Sequence, residues 1–362
     1  MVKLVCSETK EFFNSDEHRW ISNTGALLDI SFIPKFDIKK IHSRSKNLWR
    51  YREAIPIEHN KNIISVDEGF TPLIKIKFDK KDVWIKQDQL FSSGSYKDRG
   101  ATVLMSKAKE LGVKKVVQDS SGNAGCAIAM YAALSNIECD IYVPFETGEK
   151  KLAQITSYGA KIHKIPGTRE DTAEAAFNAA NKSYYASHCW NPFFFHGTKT
   201  FAYEVCEQLN WKAPDALVLP VGNGTLVIGC YIGFTELLNA GIISKIPKII
   251  AVQSENCAPL FHAFNNGLND IQSIKTSKTI AEGIAIAKPI RSKQILEYVK
   301  ASKGEFLTVN ENEIFEALKF CGNIGHYIEP TSAAVIAGLR KYITMSENEV
   351  IVSLFSGHGL KH

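Results

Sequence analysis

The 362-residue chain has no run of about 18 consecutive apolar residues, the length a helix needs to cross a bilayer. A membrane-spanning helix is therefore not expected. Its start, MVKLVCSETKEFF, holds a charge but lacks the apolar stretch of about 7 to 15 residues and the small-residue cleavage site that mark a secretory signal. The reading is a cytoplasmic protein. Metal patterns are absent as well: the eight cysteines (Cys6, Cys126, Cys139, Cys189, Cys206, Cys230, Cys257 and Cys321) stand singly, with no Cys-x-x-Cys and no Cys/His pairing at zinc spacing. Free, buried thiols and no metal are expected. There is no Gly-x-Gly-x-x-Gly between a strand and a helix and no Gly-x4-Gly-Lys-Ser/Thr loop, which argues against NAD and ATP. No internal repeat, low-complexity tract or heptad seam is present either. A net charge of +5 is mild for this length, and the lysine-rich pieces DIKKIHSRSK and KFDKKD lack the aromatic-spaced basic stripe of a nucleic-acid reader. They read as solvated faces.

What is present is the composition of a soluble globular protein, 45% hydrophobic and 22% charged, in a chain long enough for two domains. The first sixty residues are polar and irregular, with NLWRYREAIP as their one amphipathic helical piece. They read as an N-terminal extension. The stretch EGFTPLIKIKFDKKDVWIKQDQLF then gives two short strands joined by a charged turn. From residue 97 onward, strand-like apolar runs alternate with longer helical patterns. VKKVVQDSSGNAGCAIAMYAALSNIECDIYVP supplies a β-branched run at Val113 to Val117, a small-residue loop, an Ala-rich helix and a second strand. That is a βαβ unit, and it implies a parallel sheet. PDALVLPVGNGTLVIGCYIGFTELLNAG repeats strand, glycine loop and helix, ending at Gly241. Further strands are expected in PKIIAVQSE, EFLTV and NEVIVSLFSGHG, and helices at Glu311 to Phe320 and Ser332 to Met345. The fold class is α/β, with glycine-marked crevices at the C-terminal ends of strands, where open sheets place ligands.

Two loops carry the chemistry. DSSGNAG (Asp119 to Gly125) and PVGNGTL (Pro220 to Leu226) each follow a strand and open a helix, so backbone N–H groups and the helix dipole face whatever binds there. One glycine loop alone is equally explained by a tight turn; two containing Gly-Asn suggest an anion or a ring oxygen at each. Lys97, in GSYKDRG, opens the helix KDRGATVLMSKAKELG beside Arg99, and both the positive helix end and that guanidinium disfavour its protonated form. A neutral amine suits a Schiff-base nucleophile. Spacing alone equally allows a surface lysine balanced by Asp98.

Taken in order, GSYKDRG, SSGNAG, PVGNGT, EPTSAA and SGHGLK resemble the motifs of pyridoxal-phosphate enzymes of the tryptophan-synthase-β type, fold type II, from about residue 45 onward. Within that group the chain most resembles the threonine synthase family. The resemblance implies two three-layer αβα lobes with mostly parallel open sheets. Residues 61–100 and 200–362 would form the large cofactor lobe, 101–199 a smaller mobile lobe, and 1–60 an extension packing on the large lobe. It implies that Lys97 holds pyridoxal 5'-phosphate covalently and later moves protons at the substrate's α and β carbons. Asn123 would bond the cofactor's ring hydroxyl, and Gly222, Asn223, Gly224 and Thr225 would cradle its phosphate. Ser356 would meet the pyridine nitrogen; as a neutral hydroxyl it would moderate the electron sink and favour elimination over transamination. Ser120, Ser121, Gly122 and Ala124 would line the substrate carboxylate, with Asn191 and Lys199 as further substrate contacts. Gly283 would approach the ring face or cap a short helix, and His358 would bond the chain end. A small amino-acid substrate and a homodimer are implied; a membrane or nucleic-acid partner is not.

One segment departs from the family pattern. Where the family carries an arginine for the substrate's phosphate, after Asn-Pro, this chain has Phe193, Phe194 and Phe195. They read either as packing between lobes or as a changed leaving-group pocket, and Lys199, Arg169, Lys150 and Lys151 are the candidate replacement cations. The leading reading is conversion of O-phosphohomoserine and water to threonine and phosphate. Three readings stay open beside it: a cysteate-synthase-like enzyme acting on O-phosphoserine, a threonine/serine ammonia-lyase, and a binding protein on the same fold without turnover.

Overall fold

The computed structural model describes residues 2–78, 81–346 and 349–361, the side chains of Lys150 and Arg169 excepted. Along the chain the strands are β1 (Lys3–Cys6), β2 (Phe12–Asn14), β3 (Leu28–Ser31), β4 (Leu73–Phe78), β5 (Lys81–Lys86), β6 (Lys115–Gln118), β7 (Glu138–Pro144), β8 (Lys161–Ile165), β9 (Tyr184–Tyr185), β10 (Ala216–Pro220), β11 (Lys248–Ser254), β12 (Glu305–Val309) and β13 (Ile351–Leu354). The α-helices are α1 (Ile38–Ser43), α2 (Lys97–Glu110), α3 (Asn123–Leu134), α4 (Glu149–Ser157), α5 (Arg169–Ala180), α6 (Phe193–Thr198), α7 (Thr200–Gln208), α8 (Thr225–Asn239), α9 (Pro259–Asn265), α10 (Ser292–Ala301), α11 (Glu311–Asn323) and α12 (Pro330–Met345). They fall into two compact units, residues 1–69 with 97–198 and residues 70–96 with 199–362.

The first unit holds a four-stranded sheet in the order β8-β7-β6-β9, parallel throughout, and a three-stranded antiparallel sheet in the order β2-β1-β3. In the parallel sheet, β6 is where the order reverses: the chain moves from it to β7 on one side and returns to β9 on the other. Such a switch point opens a crevice at the strand's C-terminal end. Helix α3 is Ala-rich and buried over most of its length, which lets it lie close against the sheet and against α2.

The extension corrects two expectations. Residues 1–60 group with the first unit rather than with the lobe expected; Leu4, Cys6, Phe13, Ala26 and Leu28 share one apolar core with Leu104, Val116, Ile128 and Phe194 of that unit. Boundary segments 61–69 and 97–100 belong to that unit too. NLWRYREA is a 3-10 segment kinked at Tyr51 (φ -89, ψ 33), not an amphipathic α-helix.

The second unit is a six-stranded sheet in the order β12-β11-β10-β13-β5-β4. All its pairs are parallel except β4 with β5. The charged turn expected between those two strands includes Asp79 and Lys80, outside the described residues. Every residue of β10 and β13 is buried, as parallel strands covered on both faces must be. Here the order reverses at β10, between β11 and β13, so the loop after β10 sits at the second switch point. Helix α8 ends as expected near Gly241, which adopts φ +70. All eight cysteines are free and buried. Among the described residues, no helix is long and apolar enough to cross a membrane and no His/Cys/Asp/Glu group could hold a metal.

Candidate active site

The expected site residues divide between the two units, and each set is described within its own. In the first unit, β6 ends at Gln118 and α3 begins at Asn123 with Gly122 as its N-cap. Gly122 has no side chain to cap the first turn, and the positive end of the helix suits a ligand's oxygens. The loop is built around one close approach: a Cβ on Gly125 would lie 1.8 Å from the Ser120 carbonyl oxygen. Only glycine admits that turn. Ser120 Oγ accepts from the Gly122 N–H at 3.3 Å, while Asp119, Ser120, Ser121, Gly122 and Asn123 all stay half-buried and Ala124 is buried.

Lys97 is the first residue of α2 and is half-buried, whereas Asp98 and Arg99 are fully buried. Helix α2 is fixed by its packing on α6: a Cβ on Gly100 would meet the Phe194 ring at 2.4 Å, and one on Gly197 the Arg99 carbonyl oxygen at 1.9 Å. Phe193, Phe194 and Phe195 are all buried, the first two within the first unit's core. Two of the three rings thus belong to that core, and burying a Phe side chain contributes roughly 1.5–3 kcal/mol. Asn191 is buried; its Nδ2 donates to the Tyr185 carbonyl (3.3 Å) and its Oδ1 accepts from the Phe193 N–H (3.2 Å), so it shapes the entry to α6.

In the second unit, β10 leads into Val221–Gly224 and then α8. Gly224 has φ +72, a left-handed conformation that side chains resist, and a Cβ there would lie 2.3 Å from Ile295 Cδ1. A Cβ on Gly222 would lie 2.9 Å from Ile286 Cγ1 and 3.0 Å from the Gly283 carbonyl oxygen. Gly283 sits in a short 3-10 turn, its N–H donating to Thr331 Oγ1 at 3.2 Å. Gly224 caps α8 without a side chain, Asn223 is half-buried and Thr225 is buried. Thr225 Oγ1 lies 2.9 Å from Tyr96 Oη. A positive helix end with a glycine loop before it suits a phosphate dianion.

Ser356 follows β13 and is fully buried. Its Oγ donates to Glu329 Oε1 at 2.8 Å and lies 3.0 Å from Ser332 Oγ. Ser95, paired with Gly357 through an isolated bridge, is also fully buried, and its Oγ has no protein partner among the described residues. An orphaned buried hydroxyl two residues before Lys97 fits a bound group there. His358 plays the structural part expected of it: its Nδ1 accepts from the Leu360 N–H at 3.1 Å.

Lys199 Nζ lies 2.8 Å from Glu236 Oε1 with its side chain fully buried. Burial drives the Lys199 pKa down and raises that of Glu236, and their mutual attraction opposes both shifts. That pair ties α7's start to α8. The side chains of Lys150 and Arg169 lie outside the described residues, and Lys151 is exposed on α4. Sequence reasoning missed Glu329, Ser332 and Tyr96 as partners of site residues. EPTSAA and GSYKDRG contained all three, but only tertiary folding joins positions that far apart.

The family model for pyridoxal-phosphate dependent enzymes matches residues 64–357. Threonine synthase of Methanocaldococcus jannaschii is 34% identical over 98% of this chain and 92% of its own length. That of Methanosarcina acetivorans is 32% identical over 100% and 92%, and that of Mycobacterium bovis 33% over 86% and 87%. Among solved structures, a pyridoxal 5'-phosphate-dependent aspartate racemase superposes with a TM-score of 0.71 at 22% identity, covering 90% of this chain and 97% of its own. An L-serine ammonia-lyase from Rhizomucor miehei gives 0.70 at 22%, covering 80% and 94%; at such identity these two establish the fold. With the ordered motifs and both switch-point loops in place, the chain belongs to the threonine synthase group of the pyridoxal-phosphate dependent enzyme family.

Proposed function

We propose that the protein is a carbon–oxygen lyase that converts O-phosphohomoserine and water to threonine and phosphate, using pyridoxal phosphate. The observation that carries this is near full-length similarity to threonine synthases of archaea and bacteria at 30% identity or more. Phe193 and Phe194 serve the first unit's core, so on this reading a cation elsewhere meets the substrate's phosphate.

The bound cofactor supplies an electron sink conjugated to the substrate's α carbon. The protein's own residues do the rest. Lys97 Nζ would anchor the cofactor and would be the group that takes and returns protons at the substrate's α and β carbons. The uncapped first turn of α3, with Ser120, Ser121 and Asn123, receives the substrate carboxylate and the cofactor's ring hydroxyl. The Gly222–Thr225 turn and the N-terminus of α8 receive the cofactor phosphate. Loss of phosphate breaks the substrate's γ C–O bond, and water adds its oxygen at the β carbon. Lys199 enters this reading as a structural ion pair and Asn191 as a turn residue. Eight free buried thiols support a reducing compartment, the cytoplasm. A homodimer, the family's habit, is checked by light scattering.

The test is purified holoenzyme given O-phosphohomoserine, with O-phosphoserine in parallel. Threonine and phosphate in equal amounts from the first, and no amino-acid product from the second, is the expected result. Release of a keto acid and ammonia would instead favour an ammonia-lyase.

A further inference from the structure

At the first unit's switch point a side-chain amide is set into the sheet. Strands β6 and β9 are in register at Val116↔Tyr184 and Val117↔Tyr185, and the Ala186 N–H still donates to the Val117 carbonyl at 2.9 Å. The next evenly spaced bond of a parallel ladder would run from the Asp119 N–H to the Ala186 carbonyl. Gln118 stands there instead. Its Oε1 accepts from the Asp119 N–H at 2.7 Å, and its Nε2 donates to the Ala186 carbonyl at 2.9 Å. One amide, carrying a donor and an acceptor as a peptide group does, bridges the two strand ends. Gln118 is fully buried, so water does not compete for either bond.

The bridge fixes a gap. The loop from Asp119 to Asn123 starts where β6 and β9 part, and the Gln118 amide holds its first residue off β9. That strand is in turn held on its far side: the Tyr185 carbonyl accepts from Asn191 Nδ2 at 3.3 Å, and the Tyr185 ring packs edge-on against Trp20 with centroids 4.9 Å apart. We propose that Gln118 is a positioning residue that sets the opening of this loop for the substrate's carboxylate. This rests on the reading that the carboxylate binds at Ser120 to Asn123. Without the amide, the Asp119 N–H closes on the Ala186 carbonyl or is left buried without a partner, and the residues after it shift with it.

The test is steady-state kinetics of Gln118→Met holoenzyme on O-phosphohomoserine, with cofactor affinity and thermal melting measured alongside. Methionine keeps the length of the side chain and removes both hydrogen bonds. KM should rise by about fivefold or more, with kcat and cofactor affinity changed less than about threefold, because placement of the bound substrate is lost and the chemistry is not. Gln118→Asn carries the same amide on a stem one carbon shorter and cannot reach both partners; it should raise KM as well, and it serves where methionine is not tolerated. An unchanged KM in both variants, with only kcat or melting temperature lowered, overturns the proposal: the bridge then does no more than stabilise the sheet. The reading beneath it is checked apart from catalysis, by titrating 15N-labelled wild-type holoenzyme with threonine, which carries the same carboxylate. Shifted Ser121 to Asn123 amides support that placement. If those amides stay unmoved, the carboxylate binds elsewhere, and the proposal fails with the placement.

Discussion

The two glycine loops look alike in sequence and differ in how they are held. Each follows the strand at which its sheet reverses order, and each opens a helix without a side-chain cap. In the second unit the loop is locked from three sides, by Ile295 against Gly224, by Ile286 and the Gly283 carbonyl against Gly222, and by Tyr96 on Thr225. In the first unit only Gly125 is pressed against backbone, and Asp119 to Asn123 remain half-buried. A locked cradle suits a group that stays through every turnover. A more open one suits a substrate that enters and leaves, and the proposed placing of cofactor phosphate at one loop and substrate carboxylate at the other is in line with that difference.

The comparison can be broken by substitution, and Lys97 should give the largest effect. Lys97→Ala should lower kcat by about 10²–10⁴-fold or more and abolish covalent trapping of the cofactor on borohydride reduction, read by mass spectrometry. If trapping persists, the anchor lies elsewhere. Gly224→Ala adds a left-handed cost of about 1–2 kcal/mol to a Cβ forced onto Ile295, so melting temperature and cofactor retention should both fall. An unchanged cofactor affinity would show that the locked loop is not the phosphate cradle. Gly125→Ala should act on the other side: substrate KM should rise by roughly tenfold, about 1.4 kcal/mol, while cofactor affinity moves far less. Equal losses in both would erase the division of labour. The smallest effect is expected from Thr225→Val, which removes the bond to Tyr96 and should weaken cofactor retention by about 0.5–1.5 kcal/mol, measured by cofactor titration of the apoenzyme.

The parts legible from sequence were those whose signal is local. The β6–α3–β7 unit and the β10–α8 turn show strand, glycine loop and helix within thirty or so residues, and both were read in place. Helix α12 matches the expected Ser332 to Met345 nearly to its ends, and β13 is a four-residue strand inside the expected stretch NEVIVSLFSGHG. The antiparallel sheet β1–β3 was not, because its strands are three or four residues long and their buried faces meet partners near residues 104 to 132. The Phe193–Phe195 run was legible as apolar, but its neighbour was not; Gly100, which makes room for Phe194, lies almost a hundred residues earlier. The same limit hid Glu329 behind Ser356. Sequence spacing carries periodicity and turn chemistry, and it does not carry which side chain a fold brings opposite.

The most direct test of the central claim follows the oxygen of water. With O-phosphohomoserine in 18O-labelled water, the account predicts one labelled oxygen in threonine, at the β hydroxyl, and phosphate formed without label, because the γ C–O bond breaks and water adds at carbon. Labelled phosphate with unlabelled homoserine would mean attack of water at phosphorus, and would contradict it.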